Sequence, residues 1–231
     1  MIRLGERPSP SLAGAGDPQH RDLICVIDDD EQVRASLDSL LRSAGYAART
    51  FATPEEFLES GDDADCLLLD VRPQNADGLA FQEELLASEA IVPVVLMSGY
   101  GDIPMSVRGM KAGAVNFLTK PFNDHDIVAA VGEAVERGRE QRAQAQVTAD
   151  LRSRYQTLTE REREVMGLVT AGLMNKQMAA RLGVQEITVK IHRGNLMRKM
   201  RAQSLPDLVR MAEPLGVREV SVSRYARPLS Y

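Results

Sequence analysis

Between residues 22 and 137, short apolar runs alternate with segments in which apolar residues recur at helical spacing. The apolar runs predict strands at 23–27, 66–69 and 91–97, and two further strands are predicted at 46–51 and 114–119. The segments with helical spacing predict helices at 33–45, 54–60, 79–86, 103–112 and 124–135. Because continuously apolar strands are typical of a parallel sheet covered on both faces, this alternation predicts a doubly wound α/β domain with a five-stranded parallel sheet.

Residues 136–156 are rich in charged residues, Gln and Ala, and predict a helical linker. Its apolar residues are spaced about one turn apart: Val147, Leu151, Tyr155 and Leu158. This short seam fits either dimerisation along the linker or a solvated stalk, and the sequence leaves both open.

From Thr159 onward the pattern becomes that of an all-α domain. Thr159 followed by Glu162 is a capping box that marks a helix start. Four helices are predicted, at 159–171, 175–182, 186–201 and 205–213. The second and third are joined by a tight turn at 183–185, which is the arrangement of a helix-turn-helix. The later helix of such a pair enters the major groove of DNA.

Charge separates the two halves of the chain. Residues 1–150 hold 13 Lys/Arg and 26 Asp/Glu, a balance of −13, whereas residues 151–231 hold 15 and 7, a balance of +8. An acidic half joined to a basic half suggests metal or phosphate chemistry in the first and a polyanionic partner for the second. Cys25 and Cys66 lie in apolar runs and are expected to be reduced core residues of a cytoplasmic protein.

No apolar run reaches the roughly 18 residues needed to span a bilayer, so no membrane partner is expected. The predicted organisation is a disordered leader at 1–20, an α/β domain at 21–138, a linker at 139–156, a helix-turn-helix domain at 157–213 and a tail at 214–231.

Polar residues follow the predicted strands where each strand ends: Asp28, Asp29, Asp70, Ser98 and Lys120. Because ligands bind outside the carboxyl ends of parallel strands, these residues are expected to form one site. Clustered carboxylates suit Mg²⁺. Asp70 can act as a nucleophile that forms an aspartyl-phosphate, with the Lys120 ammonium stabilising the transferred oxygens. The bond from Lys120 to Pro121 can be cis.

Four motifs in the first half resemble those of response-regulator receivers, whose fold is flavodoxin-like. They are VIDDDE at 26–31, LDVR at 69–72, MSGYGDIPM at 97–105 and MKAGAVNFLTKPF at 110–122. The resemblance implies that Asp70 is the phosphoacceptor and that Mg²⁺ is held by Asp28, Asp29, Asp70 and the Arg72 carbonyl. It also implies that Ser98 and Phe117 are switch residues and that Lys120 binds the phosphoryl group. Phe117 taken alone is more typical of a core position.

One loop departs from the receiver pattern. Receivers usually have Pro four residues after the phosphoacceptor and Gly eight after it; Gly78 is in place, but Gln74 takes the Pro position and Pro73 comes one residue early. We expect this loop to alter how fast Asp70 gains and loses its phosphoryl group.

The second half resembles LuxR-type domains through LTEREREV at 158–165, GLMNKQMA at 172–179 and TVKIHR at 188–193. With the receiver, the chain resembles FixJ/NarL-type regulators, and the FixJ branch more closely. The resemblance implies that Lys190, Ile191 and Gly194 face base edges, although Gly194 has no side chain to make a contact. Contacts with the DNA backbone are expected from Lys176, Thr188, His192, Arg193 and Lys199.

The expected function is therefore a phosphorylation-dependent transcription activator. Its expected partners are a sensor histidine kinase, promoter half-sites in DNA, a second copy of the chain when phosphorylated, and RNA polymerase. Beyond its own phosphorylation and dephosphorylation it is not expected to be an enzyme.

Two alternatives stay open. One is a Mg²⁺-dependent phosphatase that uses Asp28 and Asp30 as an Asp-x-Asp pair, which leaves the basic helix-turn-helix unexplained. The other is a regulator that ignores phosphate and uses the first domain only for dimerisation.

Overall fold

The computed structural model describes residues 21–71, 81, 82, 85, 92–99 and 103–217, with the backbone alone for 103–105. The chain divides into two compact units, with the boundary between Gln141 and Arg142. The acidic α/β unit therefore precedes a separate helical unit, as the alternation of patterns predicts.

The first unit contains a five-stranded parallel sheet in the order β2-β1-β3-β4-β5. The strands are β1 Leu23–Ile27, β2 Ala47–Phe51, β3 Cys66–Asp70, β4 Val94–Ser98 and β5 Asn116–Thr119. β1 lies inside the sheet, with β2 on one side of it and β3, β4 and β5 on the other. Parallel strands added on both sides of β1 require crossover connections on both faces of the sheet, which confirms the predicted doubly wound fold.

Four helices with defined bounds belong to this part of the chain: α1 Glu31–Ser43, α2 Pro54–Ser60, α3 Ile103–Lys111 and α4 Asp124–Gln156. The described residues of the helix predicted at 79–86 are helical. The predicted helix at 124–135 and the predicted linker form one helix, α4, of 33 residues. No proline interrupts the segment, so nothing in the sequence ends the helix at residue 135.

Alternate residues of the strands enter two apolar cores, one on each face of the sheet. Ile24 and Val26 pack with Leu41 of α1 and Val131 of α4. Cys25 and Ile27 lie in the other core, which includes Phe57 of α2. Successive strand residues point to opposite faces, so burial on both faces explains why these strands are continuously apolar.

Gly138 sits where α4 passes close to Pro93. A Cβ at Gly138 would lie 2.7 Å from the Pro93 Cγ atom, whereas a Cβ at Gly132 meets no atom closer than the Tyr46 hydroxyl oxygen at 3.6 Å. We expect Gly138→Ala to lower the free energy of unfolding by about 1–3 kcal/mol through overpacking, because the proline ring cannot move aside easily. Gly132→Ala, the matched control, should raise it by about 0.5–1 kcal/mol, since Ala is the better helix former. Urea unfolding followed by circular dichroism measures both, and equal effects would contradict the prediction.

The second unit contains four further helices: α5 Glu160–Thr170, α6 Asn175–Leu182, α7 Glu186–Met200 and α8 Leu205–Ala212. The predicted capping box is present, since the Thr159 hydroxyl accepts from the Glu162 N–H and the Glu162 carboxylate accepts from the Thr159 N–H. Gly183 ends α6 with a φ of +66°, a conformation that glycine adopts without strain and that makes the turn into α7 tight.

Three of the four apolar linker residues pack into the core of this second unit. Leu151 and Leu158 are buried there and Tyr155 packs against them, whereas Val147 is exposed. The spacing of the three inward residues therefore reflects packing within the chain itself.

Candidate functional site

The predicted strand-end residues do come together. Asp28 follows β1, Asp70 ends β3 and Ser98 ends β4. Asp70 is in register with Met97, the residue before Ser98, so the ends of β3 and β4 are level. Lys120 comes directly after β5, and its N–H donates to the Ser98 carbonyl oxygen at 2.7 Å.

Lys120 links two of the carboxylates. Its ammonium donates to Asp28 Oδ2 at 2.6 Å and to Asp70 Oδ1 at 2.7 Å. The bond between Lys120 and Pro121 is cis, as the sequence allowed. The two hydrogen bonds hold the ammonium against the carboxylate that the sequence predicts to be the phosphoacceptor.

Burial and charge act in opposite directions in this site. Burial raises the pKa of the Asp70 carboxyl, and Asp28 adds to this, while Lys120 works against it without cancelling the rise. Burial also disfavours the charged form of Lys120, but its hydrogen bonds to Asp28 and Asp70 outweigh burial and raise its pKa. A cation next to Asp70 favours its ionised, nucleophilic form against the effect of burial.

Three carboxylates form a group that could hold a metal ion. One oxygen each of Asp28, Asp29 and Asp70 lies within 4.8 Å of the others. Asp28 is buried, Asp70 is half-buried and Asp29 is exposed to solvent, so the group opens to one side. All the donors are hard oxygen atoms, which fits a divalent ion such as Mg²⁺. Arg72, the fourth predicted ligand, lies outside the described residues, as do Pro73, Gln74 and Gly78.

Asp30 has a different task from its two acidic neighbours. Its side chain caps α1 by accepting from the N–H groups of Gln32 at 2.8 Å and Val33 at 3.3 Å. Its own N–H donates to Asp28 Oδ1 at 2.9 Å, and Arg34 donates to the Asp28 carbonyl oxygen at 2.7 Å. Asp30 and Arg34 thus position Asp28 without being ligands themselves. The Asp-x-Asp alternative loses support, because the second carboxylate of that pair is engaged by the helix.

Substitutions at Asp29 and Asp30 should distinguish the predicted metal ligand, Asp29, from the residue that caps α1, Asp30. Asp29→Asn is expected to weaken Mg²⁺ binding about tenfold or more, since even changes in groups that only orient metal ligands typically cost that much. Asp30→Ser keeps a good capping residue and removes only a nearby charge, so it should weaken Mg²⁺ binding much less than Asp29→Asn does. Isothermal titration calorimetry with MgCl₂ measures both, and a loss of affinity in Asp30→Ser alone would reverse the assignment.

The two predicted switch residues, Ser98 and Phe117, differ in how far they are buried. Ser98 is fully buried at the end of β4. Phe117 is half-buried and packs against the core that contains Cys25 and Phe57. This position is compatible with a switch residue and with an ordinary core residue, so the switch role of Phe117 stays a prediction.

Helices α6 and α7 form the predicted helix-turn-helix. Lys176, Lys190 and Ile191 are exposed, while Thr188, His192 and Arg193 are half-buried. Arg193 reaches from α7 to α6, where it donates to Asn175 Oδ1 at 3.2 Å. All the predicted contact residues, Lys199 included, therefore lie at least partly at the surface of the two helices.

Lys199 is placed differently from the other predicted DNA contacts. Its ammonium donates to the buried Glu162 carboxylate at 2.6 Å and to the Thr157 carbonyl oxygen at 3.1 Å. These bonds hold the end of α7 to the start of α5, so the structure favours an internal role over the predicted contact with DNA. This pairing could not be predicted from local sequence patterns, because the partners are 37 residues apart.

Comparison with known proteins agrees with the two sites. Residues 24–132 match the family described as response regulator receiver domain, and residues 156–212 match bacterial regulatory proteins of the luxR family. Fold and site thus define a response regulator with a DNA-binding output domain.

Relatives along most of the chain place it within that class. Nodulation protein W of Bradyrhizobium diazoefficiens is 49% identical, over 84% of this chain and 87% of its own length. Transcriptional regulatory protein FixJ of Azorhizobium caulinodans is 43% identical, over 83% of this chain and 92% of its own length. The solved structure of response regulator StyR has 40% identity and a TM-score of 0.70, over 84% of this chain and 99% of that one. The chain belongs to the family of FixJ-like response regulators, which join a receiver to a LuxR-type DNA-binding domain.

None of the helices in the described parts of the chain has the length and hydropathy of a membrane span.

Proposed function

We propose that a sensor histidine kinase phosphorylates this chain on Asp70 and that the phosphorylated form activates transcription. The observation that carries the proposal is the Lys120 ammonium held between Asp28 and Asp70, beside three carboxylates that can share a divalent ion. A nucleophile, a cation for the transferred oxygens and a metal-binding group are the parts that phosphoryl transfer requires.

Each side chain of the site has one role in the proposed phosphoryl transfer. An oxygen of the Asp70 carboxylate attacks the phosphorus atom of a phosphohistidine; the phosphorus–nitrogen bond breaks, the histidine leaves with its electron pair, and an acyl phosphate forms. Lys120 stabilises the charge on the transferred oxygens. Asp28, Asp29 and Asp70 would hold Mg²⁺, which neutralises phosphoryl charge when bound. Water later hydrolyses the acyl phosphate, and we propose no other substrate.

The output would come from a change of surface in the first unit. Ser98 at the end of β4 and Phe117 in β5 would respond to the new charge and alter the surface formed by α3, β5 and the start of α4. We propose that this surface pairs two copies of the chain in the cytoplasm, where DNA is available. A dimer suits two-fold promoter half-sites, and an activator would then contact RNA polymerase.

The direct test compares the full chain with and without acetyl phosphate in the presence of Mg²⁺. Gel filtration and binding to duplexes selected from a random-sequence pool are the two measurements. The expected result is a higher apparent mass and tighter DNA binding with the donor, both lost when EDTA removes the metal. Equal mass and equal affinity in all samples would instead favour a regulator that does not use phosphate.

A further inference from the structure

The exposed side of α7 forms a continuous stripe along the helix. Its exposed residues recur at spacings of one, three and four: Glu186, Ile187, Lys190, Ile191, Gly194 and Arg198. Ile187 and Ile191 are each 58% exposed and stand one turn apart. Two large apolar side chains side by side on the surface of a helix indicate a surface that contacts something.

Charged residues of this stripe are engaged with side chains of the same helix. The Lys190 ammonium lies 3.5 Å from the Glu186 carboxylate, and Arg198 donates to Asn195 Oδ1 at 3.0 Å. Gly194 adds no side chain, and a Cβ there would meet no atom within 4 Å. The middle of the stripe is therefore an apolar pair followed by an open position.

In the major groove, thymine is distinguished by an apolar feature, its 5-methyl group, while the other base-edge features are hydrogen-bond donors and acceptors. We propose that Ile187 and Ile191 read thymine by packing against these methyl groups, and that the open position at Gly194 lets α7 lie close to the groove floor. This proposal rests on DNA binding by the second unit and adds the kind of base that the unit selects.

DNA fits this surface better than a protein partner does. The pair of isoleucines is small, whereas a stable protein interface buries roughly 800 Å² per partner. The helix also carries four Lys or Arg residues against one Glu, and a basic helix suits a polyanion.

The experiment uses the full chain treated with acetyl phosphate and a random-sequence duplex pool. After the enriched motif is identified, each thymidine in it is replaced singly by deoxyuridine, which removes the methyl group alone. We expect one or two positions at which this replacement weakens binding about fourfold, as burial of one methyl group predicts. Deoxyuridine outside the motif is the control and should change nothing.

Protein variants assign each sensitive position. Ile187→Ala and Ile191→Ala should each lose the sensitivity at one position and bind the deoxyuridine duplex as the unchanged chain does, while Ile187→Val and Ile191→Val keep most of it. Both side chains are exposed, so circular dichroism should show folded variants. An enriched motif without deoxyuridine sensitivity, or with sensitivity that survives both Ala variants, would overturn the proposal and leave DNA binding intact. Failure to enrich any motif would overturn sequence-specific DNA binding itself.

Discussion

Asp70→Asn is expected to abolish covalent phosphoryl labelling of the chain and the gain in DNA affinity that a phosphodonor produces. The amide has nearly the same shape as the carboxylate and can still accept a hydrogen bond from Lys120, but it is not a nucleophile toward phosphorus. Because burial raises the pKa of Asp70, ionising this carboxyl is less favourable in the folded protein than in the unfolded chain. Without added metal, the variant should therefore be at least as stable as the unchanged chain above that pKa.

The matched control for this variant is Asp38→Asn, which removes an acidic residue from α1 outside the acidic site. Asp38 pairs with Arg42 on the helix surface, so its loss should cost little stability and no labelling. Labelling with radioactive acetyl phosphate and thermal unfolding would be measured on both. Label retained by Asp70→Asn, at the level of Asp38→Asn, would place the phosphoacceptor elsewhere.

The fold could be predicted because burial on both faces makes the strands β1, β3 and β4 almost continuously apolar. The ends of the strands were harder to place. Ala114 and Val115 were predicted in the fifth strand and are buried, yet β5 begins at Asn116. Apolar character reports burial, and a buried residue in the approach to a strand looks the same as one inside it.

The site could be predicted for a related reason. Chain topology alone brings the carboxyl ends of parallel strands together, so Asp28, Asp70 and Lys120 needed only their positions after apolar runs. The partners of each side chain could not be predicted this way. Asp30 carries the same charge as Asp28 but caps a helix, which its place directly before an amphipathic segment could have indicated.

The contact between Lys199 and Glu162 supports a second strong prediction. Glu162 is buried and receives both the Lys199 ammonium and the N–H of Thr159, so it caps the start of α5 and joins it to the end of α7. Glu162→Ala is expected to lower the free energy of unfolding of this unit by about 2–4 kcal/mol, through loss of the cap and of the partner of a half-buried cation. Differential scanning calorimetry of the full chain should show the change.

The Lys199→Met variant distinguishes an ion pair with Glu162 inside the second unit from a contact between Lys199 and DNA. Burial raises the pKa of Glu162, but Lys199 and the Thr159 N–H outweigh burial and lower it below its ordinary value. A lowered folded pKa contributes stability above the unfolded pKa, about 4.3, and this contribution is lost as the pH falls through the folded pKa. The variant should therefore be less stable than the unchanged chain at pH 7, with a deficit that shrinks toward acid pH. Adding Glu162→Gln should reduce the deficit at pH 7, because no buried charge then lacks its partner.

A contact between Lys199 and DNA would give a different and equally specific result. A lysine that binds a DNA phosphate releases a counterion, so its loss lowers the salt dependence of DNA binding by about one unit of the log–log slope. If Lys199→Met lowered that slope and left the pH profile of stability unchanged, the DNA contact predicted from the sequence would be correct and the ion pair unimportant. Lys176→Met is the control that should lower the slope, because Lys176 is exposed on α6 and is expected to contact the DNA backbone.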